Sequence, residues 1–530
     1  MSHRISEKRP DRAVAMLVAG FLAAASGAVV SAQVAPEGAG FSCERLSGLS
    51  LPNGKIVLAQ AVTTGTLTIQ ASAATAGGAA GQTRDFTGLP PFCRVAAELT
   101  PSADSHIKIE VWMPLKGWNL KFMAAGNGGW SGSVSYGQMI PILQRGYAVA
   151  STDTGHLSSG QDAAWAMGHP EKQIDFGYRA VHEMTLRAKE IVKAFYDAAP
   201  RYAYWNGCSA GGKQGLKEAQ HFPADYVGII AGAPANHWTH LVTQILGVAK
   251  AVRMDPASQI QPDQYPLIHN AVLSQCDALD GVKDGFLEDP RRCAFNAALL
   301  QCKGATDATC LTAPQVGALK QVYAPARNSK GSEIFPGLSV GGELGWGNLP
   351  QPFGIALSHY KYIVFKDPNW DFRTLDLDRD VVKADTMDTE TGQFNATDPN
   401  LGAFKQRGGR ILQFHGWNDQ QIAAQNSIDY YESVVARVGD RRETEAFYRL
   451  FMVPGMAHCQ GGDGATDQFD KISALEQWVE RGVAPDRIVA SHLRDGRAVR
   501  TRPLCPYPLV AAWSGSGTTD DAANFVCKTP

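Results

Sequence analysis

Three residues of this chain have the types and the order required for acyl transfer through a serine. Ser209 lies in Asn206-Gly207-Cys208-Ser209-Ala210-Gly211-Gly212, Asp419 ends His415-Gly416-Trp417-Asn418-Asp419, and His458 stands in Pro454-Gly455-Met456-Ala457-His458-Cys459. A serine hydroxyl is a poor nucleophile until a base takes its proton, and the base needs a carboxylate to hold its tautomer. The pattern G-x-S-x-G alone is weak, because 54 of the 530 residues are glycine and chance matches are common. Taken singly, Asp419 reads as a turn or cap residue. His156, His221, His237, His240 and His415 compete with His458, each with a structural or surface reading.

The elements around these residues decide between the readings. Tyr202-Ala203-Tyr204-Trp205 is strand-like and Lys213 to His221 is helix-like, so Ser209 stands on a strand-turn-helix, the setting of a nucleophile elbow. Gly207 and Gly211 suit a sharp turn with close strand–helix packing, and a helix N-terminus favours negative charge. Asp419 follows a strand-like run ending at Phe414, and His458 one ending at Val453. Further strands are expected at 107–112, 121–125, 147–151 and 227–232. Val181, Met184, Ala188, Ile191, Val192 and Phe195 share one helical face, as do Ile428, Tyr431, Val435 and Val438, and a last helix is expected around Ile472 to Glu480. Alternating strands and helices predict an α/β domain with a largely parallel sheet, whose loops would bring the three residues to one edge. The order serine, acid, histidine is that of α/β-hydrolases, and a place after the last strand favours His458. An oxyanion site needs backbone N–H groups. Ala210 would supply one, and Gly128 or Gly129 of Gly126-Asn127-Gly128-Gly129 the other, unless that stretch is an ordinary Gly-rich turn. From about 236 to 405 the rhythm breaks into helical pieces and Pro/Gly-rich loops. This divides the chain into a core, 33–235, an inserted lid, 236–405, and a second core part, 406–530.

Bulk properties narrow the setting. A net charge of −2 gives no electrostatic reason to expect a nucleic-acid partner, and a mean hydropathy of −0.18 suits a soluble globular protein. Arg4, Lys8, Arg9 and Arg12 precede an apolar stretch, Ala13 to Val30, so residues 1–32 read as a signal peptide with Gln33 the first mature residue. An uncleaved anchor is the alternative. No later segment is apolar enough to span a membrane, so a secreted or periplasmic protein without stable membrane association is expected. Ten cysteines behind such a leader suggest five disulfides, and the absence of C-x-x-C pairs argues against structural zinc. Connectivity is not fixed by sequence. Nearness suggests Cys43 with Cys93, Cys276 with Cys293, Cys302 with Cys310 and Cys505 with Cys527, leaving Cys208 with Cys459. That last bridge would hold the Cα atoms about 4.4–6.8 Å apart and staple the serine loop to the histidine loop. A free, nucleophilic Cys208 thiol is the rival reading. The loop between Cys276 and Cys293 crowds Asp277, Asp280 and Asp284, which suits Ca²⁺ or a solvated acidic loop; it lacks the spacing of an EF-hand.

Together, Gly207-Cys208-Ser209-Ala210-Gly211-Gly212, Gly126-Asn127-Gly128-Gly129, His415 to Asp419 and Gly455-Met456-Ala457-His458-Cys459 resemble the tannase and feruloyl esterase family of α/β-hydrolases. The resemblance covers nearly all of the mature chain. It implies a disulfide between the cysteines beside the serine and the histidine. It also implies a structural calcium in the lid, held by side chains of Asp277, Asp280 and Asp284 and carbonyls of Val282 and Phe286, with no organic cofactor. The family cleaves small esters of aromatic acids: feruloyl and galloyl esters, chlorogenate and mono(2-hydroxyethyl) terephthalate. Feruloyl esterase is the first expectation, tannase and terephthalate monoester hydrolase the next. From another class, a non-catalytic, calcium-stabilised extracellular binding protein on the same fold is the alternative. Trp346, Tyr360, Tyr362, Phe365 and Trp370 could form a ring pocket or simply fill the lid core.

Overall fold

Strands buried on both faces are written as near-continuous apolar runs, and such runs form the centre of this molecule. The computed structural model describes residues 42–70, 83–304, 307–347, 349 and 351–530; the expected leader lies outside them. Nine strands make one sheet: β1 (Gly54–Val62), β2 (Phe92–Leu99), β3 (Ile107–Pro114), β4 (Lys121–Ala125), β5 (Ala148–Thr152), β6 (Tyr202–Cys208), β7 (Gly228–Gly232), β8 (Arg410–Gly416) and β9 (Tyr448–Val453). Their order is β1-β2-β3-β5-β4-β6-β7-β8-β9. The first three strands and the β3–β5 pair are antiparallel, and every pair from β5 to β9 is parallel. All five residues of β5 and of β7 are buried.

Helices connect the parallel strands, as parallel pairing requires. They are α1 (Tyr136–Gln144) between β4 and β5, α2 (Ala180–Tyr196) between β5 and β6, and α3 (Ala210–His221) between β6 and β7. Val181, Met184, Ala188, Ile191 and Val192 of α2 are all buried in the core, which is what their spacing predicts. Between β7 and β8 the chain adds no strand to this sheet. It runs instead through helices beginning with α4 (Trp238–Arg253) and a small hairpin, Ala326–Arg327 against Glu333–Phe335. These pieces share one apolar cluster that also takes in Trp130, Phe176, Ala210 and Ile422 from the sheet's own connections. After β8 come α5 (Gln425–Val438), β9 and α6 (Lys471–Arg481). The sequence pattern did not indicate β1 and β2, the hairpin Thr66–Gln70 with Thr83–Thr87, or the hairpin Ile488–Arg494 with Arg497–Leu504.

This mixed sheet with a parallel majority, covered by helices, is an α/β-hydrolase fold. All five disulfides form with the pairing that nearness suggested: Cys43–Cys93, Cys208–Cys459, Cys276–Cys293, Cys302–Cys310 and Cys505–Cys527. Cys208 is therefore not a free thiol. Among the described residues no helix is long and apolar enough to cross a membrane.

Candidate active site

The turn between β6 and α3 holds Ser209 at φ 63°, ψ −124°, a conformation that non-glycine residues seldom adopt. The chain is held there from both sides. The Ser209 N–H donates to the Gly232 carbonyl (2.9 Å), and the Ser209 carbonyl accepts from Lys213 (3.0 Å) and Ala235 (3.1 Å). Glycine is required around it for want of space. A Cβ on Gly207 would lie 2.4 Å from the Gly211 carbonyl oxygen, and one on Gly126 would lie 2.7 Å from the Gly211 Cα. The loop after β4 thus packs directly on the start of α3.

Asp419 and His458 follow the ends of β8 and β9, and the structure brings them together. His458 Nδ1 lies 2.7 Å from Asp419 Oδ2. Asp419 is buried with all its acceptor sites engaged: Oδ1 takes the N–H groups of Gln421 (2.8 Å) and Ile422 (2.9 Å), and Oδ2 also faces His415 Nε2 at 3.1 Å. Burial by itself would raise the Asp419 pKa; the charge of His458 and the hydrogen bonds from His415 and His458 outweigh it and hold the carboxyl well below the usual range. Burial would likewise lower His458, and the Asp419 charge and hydrogen bond reverse this into a net rise. With Nδ1 directed at the carboxylate, Nε2 remains to exchange a proton in the cleft.

Ser209 and His458 both line one cleft of about 790 Å³, with Gly128, Gly129, Cys208 and Cys459. The Cys208–Cys459 bridge, Cα–Cα 6.0 Å, ties the residue before the serine to the residue after the histidine. No hydrogen bond joins the Ser209 hydroxyl to His458 here; such contacts often tighten only when substrate is bound. The other histidines weighed against His458 (His156, His221, His237, His240 and His415) do not line the cleft. Of them only His415 touches Asp419. It is fully buried, with Nδ1 2.7 Å from the Ser427 hydroxyl, and acts on the site through the acid.

Two features were not foreseen. Gln214, in the second turn of α3, accepts the Asn127 N–H (3.0 Å) and donates to Asn127 Oδ1 (3.1 Å). The Asn127 amide in turn donates to Ser133 and Thr152 carbonyls (3.0 and 2.9 Å). This commits the Asn127 N–H and fixes the loop that presents Gly128 and Gly129. The second is charge: Arg84 and Lys471 line the cleft, and among the described residues no aspartate or glutamate does. The segment between β7 and β8 contributes Ile355 to the lining but none of its large aromatics. Trp370 stacks on Tyr360 (5.1 Å) and Phe365 (5.0 Å) within that segment, and Trp346 is buried against Tyr265 and Tyr323.

Asp277, Asp280 and Asp284 occupy one loop after the helix Tyr265–Cys276. Asp277 Oδ1 accepts from the Asp284 and Gly285 N–H groups (3.2 and 3.3 Å), Asp280 Oδ1 from that of Val282 (2.8 Å). Asp284 pairs with Arg502 through Oδ2, while its buried Oδ1 has no hydrogen-bond partner among the described residues.

Comparison with known proteins identifies the family of the chain. Residues 93–528 match the family described as tannase and feruloyl esterase. An uncharacterized esterase of Xanthomonas campestris is 37% identical, covering 94% of this chain and 93% of its own. A "probable feruloyl esterase B-1" of Aspergillus fumigatus is 34% identical over 82% of this chain and 85% of its own. The crystal structure of feruloyl esterase B from Aspergillus oryzae superposes with a TM-score of 0.85 at 31% identity, over 92% of this chain and 99% of that one. The chain belongs to the tannase and feruloyl esterase family and is a carboxylic ester hydrolase.

Proposed function

We propose that this protein is a secreted serine esterase that releases hydroxycinnamic and related aromatic acids from their esters. Ser209 Oγ attacks the ester carbonyl while His458 Nε2 takes its proton, and the N–H groups of Ala210 and of Gly128 or Gly129 hold the oxyanion. His458 then protonates the leaving alcohol. Water, deprotonated by the same histidine, frees the acid from the acyl-enzyme. Asp419 keeps the His458 tautomer and stabilises its cation. The observation that carries this reading is the pairing of His458 with a fully hydrogen-bonded Asp419 in the cleft that Ser209 lines, beside the Cys208–Cys459 bridge. Five disulfides and the N-terminal leader motif support secretion. Wild type and Ser209→Ala should be assayed on methyl ferulate, methyl gallate and a terephthalate monoester. The expected result is turnover of methyl ferulate by the wild type and at least about a 10³-fold loss in the variant; retained activity in the variant would overturn the mechanism.

A second substrate reading rests on Arg84 and Lys471 in a cleft without acidic lining. Those two charges favour an ester that carries a carboxylate, as a terephthalate monoester does. A higher kcat/KM on that monoester than on its methyl diester counterpart would favour it over the feruloyl reading.

The lid loop also fits a structural Ca²⁺. Its donors are oxygens alone, and the buried, unpartnered Asp284 Oδ1 is the kind of atom a cation would satisfy. Side chains of Asp277, Asp280 and Asp284 with carbonyls of Val282 and Phe286 would hold it, lending rigidity to the lid and taking no part in the reaction. Chelation should lower the melting temperature, with recovery on adding Ca²⁺. An unchanged melting curve and no bound calcium by elemental analysis would remove the site.

A further inference from the structure

A second group of metal-competent side chains lies apart from both the cleft and the lid loop. His182 comes from the first turn of α2, Glu218 from the third turn of α3, and Asp225 from the loop between α3 and β7. None of them lines the cleft. His182 Nδ1 is 2.6 Å from Asp225 Oδ2, and one ligand atom from each of the three residues lies within 4.8 Å of the other two. Glu218 is 1% exposed and Asp225 4%, while the His182 side chain is 25% exposed, which leaves solvent access on the imidazole side. The His182 ring stacks on Phe222 at 3.8 Å, which fixes its plane. Lys189 donates to the Asp225 carbonyl oxygen from the other side.

The decisive atom is Glu218 Oε2. It is buried and receives no hydrogen bond from a donor of the described residues; the Glu218 carboxyl instead meets that of Asp225, an acid–acid contact that a shared proton or a cation must mediate. A buried polar atom left unsatisfied costs about 1–3 kcal/mol, more for a charged group. The protein therefore gains from anything that satisfies that oxygen. Its neighbours are the Asp225 carboxylate, which cannot donate to it, and the His182 imidazole, directed at Asp225; together with Glu218 they make one nitrogen and two oxygen ligands, with the Lys189 ammonium acting on both carboxylates by charge. This set suits a borderline divalent cation of the Zn²⁺ class far better than Ca²⁺, which takes oxygen. Metal–ligand bonds of about 2.0–2.2 Å in a tetrahedral site put ligand atoms roughly 3.3–3.6 Å apart, so ligation needs the 2.6 Å His182–Asp225 contact to open by about 0.7–1.0 Å and the contacts of Glu218, within 4.8 Å, to close by at most about 1.5 Å.

We propose that His182 Nδ1, Glu218 Oε2 and Asp225 Oδ2 form a binding site for a Zn²⁺-class divalent cation, completed by water. Bound there, the ion ties α2 to α3, the helix that starts at the Ser209 turn, and to the chain entering β7. Its role is to brace the nucleophile helix from its far end. Because His182 must bind as neutral imidazole and Glu218 as carboxylate, binding strengthens as pH rises.

The test uses the full chain, freed of metal by chelator and then given excess Ca²⁺ so that the lid loop is not a variable. Titration with Co²⁺ alone should give one equivalent bound with a visible d–d absorption band, and Zn²⁺ should displace it. His182→Ala should abolish the band or weaken Co²⁺ binding by at least about tenfold, since even outer-shell losses cost 10–100-fold. Zn²⁺ should raise the melting temperature of the wild type and not that of His182→Ala. Glu218→Gln should behave likewise; if it fails to fold, the variant of the partly exposed His182 decides the matter alone. No band at millimolar Co²⁺, or a band that persists in His182→Ala, overturns the proposal and leaves the cluster as a proton-sharing acid pair beside a histidine.

Discussion

Asp419 illustrates how a single side chain is given its state by its neighbours. Four donors converge on its carboxylate, two of them backbone N–H groups from its own turn and two of them imidazoles. The chain thereby keeps a buried negative charge where burial alone would neutralise it. The consequence for His458 is a pKa above its ordinary value near 6.5. A general base must be neutral, so kcat/KM should fall as pH drops through that raised value, and the acid limb should lie above 6.5. In Asp419→Asn the raising charge is gone and burial remains. The residual activity, reduced by about 10⁴-fold, should show its acid limb below 6.5. A pH–rate profile of both proteins on methyl ferulate checks this; an acid limb at the same pH in both would mean that Asp419 does not set the base. The placement of Ser209, Asp419 and His458 at strand ends around one cleft was legible from sequence because each follows an apolar strand. His415 and Gln214 were not readable as site residues. Nothing local marks a histidine as second partner of an acid four residues on, or a helix glutamine as the clamp of a loop 87 residues earlier; only the folded approach of α3 to the loop after β4 makes them so.

The elements that carry these residues are joined covalently as well as by packing. The Cys208–Cys459 bridge closes a separation of 251 residues, against 22 for Cys505–Cys527. In the chain-entropy model these correspond to about 5–6 and about 3–4 kcal/mol of constraint on the unfolded chain, before the other bridges are counted. The larger difference is positional: Cys208–Cys459 sits between the Ser209 turn and the His458 loop, where a displacement of about 1 Å can cost roughly 100-fold in rate. We expect Cys208→Ala/Cys459→Ala to lose at least about ten times more kcat than Cys505→Ala/Cys527→Ala, with KM changed less than kcat. Equal, negligible effects in both would show that packing alone positions the two loops. The parallel strands β4 to β9 were legible because burial on both faces writes them as apolar runs. Strand β1 was not, because Lys55, Gln60 and a bulge between Ile56 and Leu58 break its alternation, and its partner β2 lies beyond a long excursion of the chain. The helices between β7 and β8 start from individual caps, such as Thr312 with Gln315, and pack by shape into a shared cluster, which no periodic pattern announces.

Across the molecule, sheet and inserted segment meet on one buried cation. Lys213 of α3 is fully buried, and its Nζ lies over the rings of Phe176 (4.4 Å), Trp238 (4.6 Å) and Phe394 (5.7 Å), with no hydrogen-bond partner among the described residues. Phe176 follows β5 in the core, Trp238 opens α4, and Phe394 precedes the return to β8, so the lysine stands at the junction of the two parts. Ring faces attract an ammonium by about 0.5–2 kcal/mol each at best, less than the penalty of taking the charge from water. Burial, aided by the nearby charge of Lys217, brings the Lys213 pKa down to about 7. In the unfolded chain the same lysine holds its proton to about pH 10.4. Between those values the unfolded state binds more protons than the folded one, so this residue makes unfolding free energy rise with pH across that window. Below pH 7 its full destabilising cost is present. Lys213→Met keeps the stem and removes the titration, and it should be more stable than the wild type at pH 6–7. The gap should narrow steadily as pH rises toward 10, as the wild type sheds its buried charge. Denaturant midpoints of both proteins, taken in parallel over pH 6–10, measure that gap directly and cancel every other titrating group. Parallel curves would mean that Lys213 stays charged within its aromatic cage, and that the rings, not deprotonation, make its burial tolerable.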